Sequence, residues 1–124
     1  MSQSDLKTVS TVLIVEDEFL ILRLASMEFE DAGFEVSTAT DSGSALAIIE
    51  SDAVIDLLFT DIRMPGPCDG WALAQRARQL RPGLQVIYAT GFSAHKPQIV
   101  ERGVLITKPY LSDNIIDVAR DLLR

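Results

Sequence analysis

The chain has 124 residues, 48% of them apolar, which suits one domain with a single sizeable core. A formal net charge of −7, without a Lys/Arg-rich block, excludes a broad basic face for nucleic acid or an anionic membrane. The lone cysteine, Cys68, excludes an intramolecular disulfide and a Cys/His metal cluster, and no apolar run is long enough for a bilayer, so a reducing cytoplasm is expected.

"MSQSDLKTVS" (1–10) is polar, lacks the apolar core of a signal peptide, and reads as a short tail before a domain spanning 11–124. "TVLIV" (11–15) is continuously apolar, as a strand covered on both faces is, and ends in Glu16-Asp17-Glu18. A helix is predicted at about 18–32, with Gly33 after it as a C-cap. Leu20, Leu24 and Met27 share one face of that helix, the expected core face, while Leu22 and Phe29 lie on roughly the opposite side. The strand "FEVSTA" (34–39) leads to a helix at 42–51 that Asp41 or Ser42 can cap.

"DLLFT" (56–60) runs into Asp61 and breaks at Pro65-Gly66. The next helix (70–80) stops at Pro82-Gly83, and its Trp71, opposite Leu73, Ala77 and Leu80, is expected to be partly exposed. "LQVIYAT" (84–90) ends in Thr90-Gly91 and precedes a helix at 94–101. "GVLIT" (103–107) ends in Lys108-Pro109 before a last helix at 111–123, with Ser112 as its cap. Five βα units with short links predict an α/β, doubly wound (βα)5 domain with helices on both faces of a parallel sheet. No repeat or low-complexity segment interrupts them.

The residues that carry chemistry stand at the carboxyl ends of the strands. In open α/β sheets ligands bind there, where strand order reverses, and the flavodoxin-like order 2-1-3-4-5 puts that point between the first and third strands. Glu16, Asp17 and Asp61 then converge. Two carboxylates about 4 Å apart repel by about 4 kcal/mol at an effective dielectric near 20, which a hard divalent cation offsets. Mg²⁺ suits, since it takes one or two carboxylates, keeps waters and completes its shell with phosphate oxygens. Lys108 and Thr90 add a mobile positive charge and a hydroxyl donor for a phosphoryl group that one carboxylate attacks. Each residue alone has a plainer explanation: Asp17 as a helix cap, Asp61 as a turn former, Lys108 as a surface lysine, Thr90 as an ordinary strand end. Their coincidence on successive strand ends favours the joint reading.

From "VLIVEDE" through "FTDIRMPG" and "YATG" to "ITKPY", nearly the whole chain resembles the receiver (CheY-like) domains of bacterial response regulators. The resemblance implies Asp61 as phosphoacceptor, Mg²⁺ on Asp17 and Asp61, Glu16 acting on the metal through water, and the main-chain carbonyl of Arg63 as a further ligand. Thr90 and Lys108 would bind the phosphoryl oxygens and act as the switch. The donor would be a sensor histidine kinase or a histidine phosphotransfer protein, and the output an unknown downstream protein. Leu22 and Phe29 become a candidate docking surface for that donor. The chain stops at "DLLR" with no output domain, so either a stand-alone phosphorelay component or a fragment of something longer is expected, acting as a signalling module rather than an enzyme.

Three departures bear on this. "MPGPCDG" is one residue longer than the family's usual loop, which affects the backbone beside Arg63. Leu105 stands where the family often carries a switch Tyr or Phe, a role left to Tyr88 or Tyr110. "YATGFS" resembles the FATGUY-type subgroup, which also lacks that aromatic and is associated with HWE-type kinases; there Gly91 would free the 94–101 helix to reorganise. The alternative is a degenerate receiver that signals by protein binding without phosphorylation. A flavodoxin-type binder fails on "EDEF" where a phosphate loop is needed, and a haloacid-dehalogenase-type phosphatase fails on Phe19, two residues after Asp17. Cys68 and His95 are expected to be inert.

Overall fold

The computed structural model describes residues 9–90, 98–107 and 112–124, with only the backbone of 112–114. β1 (Thr11–Val15), α1 (Phe19–Asp31), β2 (Glu35–Ala39), α2 (Ser42–Glu50), β3 (Leu57–Asp61), α3 (Gly70–Leu80), β4 (Gln85–Thr90), β5 (Val104–Thr107) and α4 (Ser112–Leu122) follow one another along the chain. The five strands are all parallel, in the order β2-β1-β3-β4-β5 that the sequence predicts. Strand order therefore reverses beside β1, which puts the usual ligand position of such sheets at the carboxyl ends of β1 and β3.

Strand residues alternate between two cores. Leu13, Val15, Leu58, Val86 and Tyr88 face the side covered by α2 and α3. Val12, Ile14, Leu57, Phe59, Ile87 and Ala89 face the side covered by α1 and α4. Side-chain caps fix where two helices begin. Asp41 Oδ1 accepts the Ser44 N–H at 2.6 Å, which holds its carboxyl below the ordinary 3.8, and Asp69 Oδ1 accepts the Ala72 N–H at 2.9 Å. Gly33, at φ +96°, takes the left-handed turn that ends α1. Ser112, the expected cap of the last helix, is its first helical residue.

The structure corrects three expectations. On α1 the buried residues are Leu22, Ala25 and Phe29, whereas Leu20, Leu24 and Met27 are exposed. The face expected to dock a partner is the core face. Phe29 decides this, since its ring meets Phe34 at 5.1 Å edge-on and Phe59 at 5.6 Å. Trp71 is buried, with its ring 4.7 Å from that of Tyr88. The helix expected at 94–101 does not extend over 98–101, and 94–97 lie outside the described residues. Here the Val100 N–H goes to the Tyr88 hydroxyl at 3.1 Å, and Val100 to Gly103 closes a turn with Arg102 at φ +63°. Both bonds compete with a helical ladder.

Candidate functional site

β1 delivers Glu16 and Asp17 and β3 delivers Asp61 to the same sheet edge. Val15 pairs in register with Thr60, so the acidic residues that follow each strand are neighbours by construction. One carboxylate oxygen from each of Glu16, Asp17 and Asp61 lies within 4.8 Å of the other two. Their environments differ: Glu16 is 4% exposed, Asp61 is half-buried and Asp17 faces solvent. Asp17 does not cap α1. That position falls to Glu18, whose side chain makes no capping bond.

Backbone amides hold two of the carboxylates in place. Glu16 Oε2 accepts the Glu18 N–H at 3.1 Å, and Asp61 Oδ1 accepts the Ile62 N–H at 2.8 Å. The Thr60 hydroxyl donates to the Asp61 carbonyl at 2.8 Å, which steadies the last strand residue. Gly70, at the start of α3, must be glycine, because a Cβ there would collide with that carbonyl. Asp61 is thus fixed by its own strand, the following amide and the helix beyond the loop.

Thr90 closes β4 and is 2% exposed. It pairs in register with Thr107 at the end of β5, and Asp61 pairs with Ala89. The sheet therefore brings Asp61 and Thr90, which the sequence places at the ends of the third and fourth strands, to one edge together with Thr107. Lys108, His95, Gly91 and Tyr110 lie outside the described residues. Arg63 is exposed in the loop after β3. Cys68 is a half-buried free thiol in that loop. Leu105 is partly buried against the α2/α3 core and pairs with Tyr88. Burial pushes the Tyr88 phenol above its ordinary 10, against the pull of the Val100 amide.

Three close carboxylates, one poorly hydrated, supply hard oxygen donors and an excess of negative charge. That donor set fits a hard divalent cation such as Mg²⁺ and offers nothing to a soft one. Sequence reasoning missed two connections here. One is the Tyr88–Val100 bond. The other is the contact of the loop after β3 with Ser42, whose only trace in the sequence is a serine beside a cap and a glycine between two prolines. Among the described residues no helix is long and apolar enough to cross a membrane.

Known proteins agree with this architecture. The family model described as "Response regulator receiver domain" matches residues 12–120. The sensor histidine kinase RcsC of Salmonella typhimurium is 32% identical over 106 residues, 82% of this chain but 11% of that kinase, so the chain spans a small part of this relative. The crystal structure of a response regulator receiver protein from Sinorhizobium medicae superposes with a TM-score of 0.89 at 31% identity, covering 94% of this chain and 95% of that one. TrrA, a response regulator protein from Thermotoga maritima crystallised in complex with Mg²⁺-BeF, gives a TM-score of 0.82 at 26% identity over 92% of this chain and 99% of that one. The chain belongs to the response regulator receiver domain family, a family of two-component signalling domains.

Proposed function

We propose that this receiver accepts a phosphoryl group on Asp61 in a Mg²⁺-dependent reaction and thereby switches its binding to a partner. The observation that carries the reading is the meeting of Glu16, Asp17 and Asp61 within 4.8 Å at the carboxyl edge of the sheet. A carboxylate oxygen of Asp61 attacks the donor phosphorus, the bond from phosphorus to the donor atom breaks, and the leaving group takes the bonding pair. Asp17, Asp61 and the Arg63 carbonyl would hold the cation, and Glu16 would act on it through water. Bound there, Mg²⁺ would neutralise the carboxylates and the charge that develops on the transferring group. The structure of TrrA with Mg²⁺-BeF supports the same chemistry by analogy.

Thr90 and Lys108 then contact the new phosphoryl oxygens and bias a two-state equilibrium. The donor is a sensor histidine kinase, of the HWE type if the FATGUY-type resemblance holds, or a histidine phosphotransfer protein. The receiver domain occupies 11–124 after residues 1–10, works in the cytoplasm, and has a downstream protein as its output. A second reading, phosphorylation-independent signalling, draws on Leu105, which lies against the core where the family often places its switch aromatic.

Intact-mass spectrometry tests both. The chain is incubated with acetyl phosphate or phosphoramidate, with and without Mg²⁺, beside Asp61→Ala. One phosphoryl adduct that needs both Mg²⁺ and Asp61 is expected. No adduct, even with a competent kinase as donor, overturns the reading in favour of the second.

A further inference from the structure

The loop that joins β3 to α3 runs from Ile62 to Asp69, with Arg63, Pro65, Gly66, Pro67 and Asp69 exposed. Such a loop would sample many conformations if only its ends were fixed. Its ends are fixed, by the Gly70 N–H donating to the Ile62 carbonyl at 2.8 Å. Its middle is also held, with Ser42 making two of the bonds. The Ser42 N–H, on the first residue of α2, donates to the Pro65 carbonyl at 3.1 Å. The Ser42 hydroxyl accepts the Cys68 N–H at 3.1 Å. Ser42 is completely buried although it starts a surface helix.

The loop is built to reach it. Gly66 sits at φ +120°, and a Cβ there would collide with Ser42 Oγ and come within 2.9 Å of the Ser42 nitrogen. A side chain at this position is excluded on both counts. Asp41 caps α2 through Ser44, which leaves the amide and hydroxyl of Ser42 for the loop. Gly66, inside "MPGPCDG", thus brings the loop into close contact with α2.

We propose that Ser42 is a positioning residue for the divalent-cation site: by latching Pro65 and Cys68 it fixes the segment that carries the Arg63 carbonyl. This rests on the reading of the acidic cluster as a Mg²⁺ site. Arg63 is two residues from one latch bond. Mg²⁺ demands near-ideal octahedral geometry at about 2.0–2.1 Å, so a carbonyl free to wander costs affinity that three carboxylates alone do not recover. Any residue except proline could supply the α2 amide. Only a side-chain acceptor can also take the Cys68 amide.

The test is a Mg²⁺ titration of wild type, Ser42→Ala, Gly66→Ala and the double variant, by calorimetry and by the emission of Trp71, with Asp17→Asn as the site control. Both single variants should bind Mg²⁺ roughly tenfold more weakly, the low end for lost outer-shell partners. The double variant should be no weaker than the worse single, because both break one latch. A merely structural Ser42 would lower the melting temperature and leave the Mg²⁺ dissociation constant of the folded protein unchanged, which overturns the proposal. By reciprocity, saturating Mg²⁺ should slow hydrogen exchange at the Cys68 amide in the wild type by a similar factor, a measurement that needs no variant; an unchanged rate overturns it too. Wild type that shows no Asp17-dependent Mg²⁺ binding instead overturns the site reading beneath it.

Discussion

Replacing Asp61 by Asn should stabilise the Mg²⁺-free protein and remove most of its response to Mg²⁺. The change is isosteric and leaves an oxygen for the Ile62 amide that Asp61 Oδ1 now accepts. It removes two of the three like-charge pairs in a cluster whose oxygens lie within 4.8 Å. At that separation one pair repels by about 3.5 kcal/mol at an effective dielectric of 20 and by about 0.9 kcal/mol in bulk water. The pair with buried Glu16 belongs nearer the first figure, and the pair with exposed Asp17 nearer the second. A relief of about 2–4 kcal/mol follows, after allowance for screening.

Unfolding entropy near 2.1 cal/mol/K per residue makes 1 kcal/mol worth about 4 °C in a chain of this size. Asp61→Asn should therefore melt about 8–16 °C above wild type in low salt without Mg²⁺. Mg²⁺ at a hundred times its dissociation constant adds about 2.7 kcal/mol to the wild type, or about 10 °C, and little to the variant. Circular-dichroism melts with and without Mg²⁺, against NaCl at matched ionic strength, read both effects. If Asp61→Asn leaves the melting temperature unchanged or lowers it, the cluster stores no repulsion. If Mg²⁺ raises the variant as much as wild type, the cation does not use Asp61.

Two further outcomes follow from the packing. Tyr88→Phe removes the acceptor of the part-buried Val100 N–H and should cost about 1–2 kcal/mol, with faster hydrogen exchange at Val100; exchange at the wild-type rate would mean that the hydroxyl does not hold the turn. Phe29→Ala should cost about 3–5 kcal/mol while Leu24→Ser stays within about 0.5 kcal/mol, and urea denaturation giving the reverse order would invalidate the assignment of the buried face of α1.

Strand positions were legible in the sequence because they depend on local signals that tertiary structure has little freedom to override, and the acidic cluster followed once the flavodoxin-like sheet order was adopted. A short, β-branched, continuously apolar run such as Val12-Leu13-Ile14-Val15 suits a strand covered on both faces. Once five such runs are parallel and take the flavodoxin-like order 2-1-3-4-5, whatever follows β1 and β3 meets at the reversal point. Glu16, Asp17 and Asp61 could be brought together without knowing a single side-chain torsion. The same is not true of Ser42. Its partners are a carbonyl and an amide of Pro65 and Cys68, more than twenty residues away, and backbone groups carry no residue identity for a sequence to reveal. The turn at Val100 was hidden for a similar reason, since its amide is taken by a hydroxyl from a different strand.

The reversed face of α1 is the most instructive failure. Along "FLILRLASMEF" apolar residues occupy nearly every direction around the helix, so periodicity offers two candidate faces, Leu20-Leu24-Met27 and Leu22-Ala25-Phe29. Counting residues favours neither. What separates them is the partner surface. The second face contains Ala25, small enough to allow close approach to the sheet, and Phe29, large enough to reach both Phe34 and Phe59. An alternation of small and large residues fits a β-sheet better than three long flexible chains do. The consequence runs beyond packing, because Phe19 and Leu20 are left 72% and 66% exposed in the first turn after Asp17. A helix that is apolar on both sides can satisfy its own core and still present greasy side chains beside the acidic cluster, and hydrophobic pattern alone cannot say which set does which.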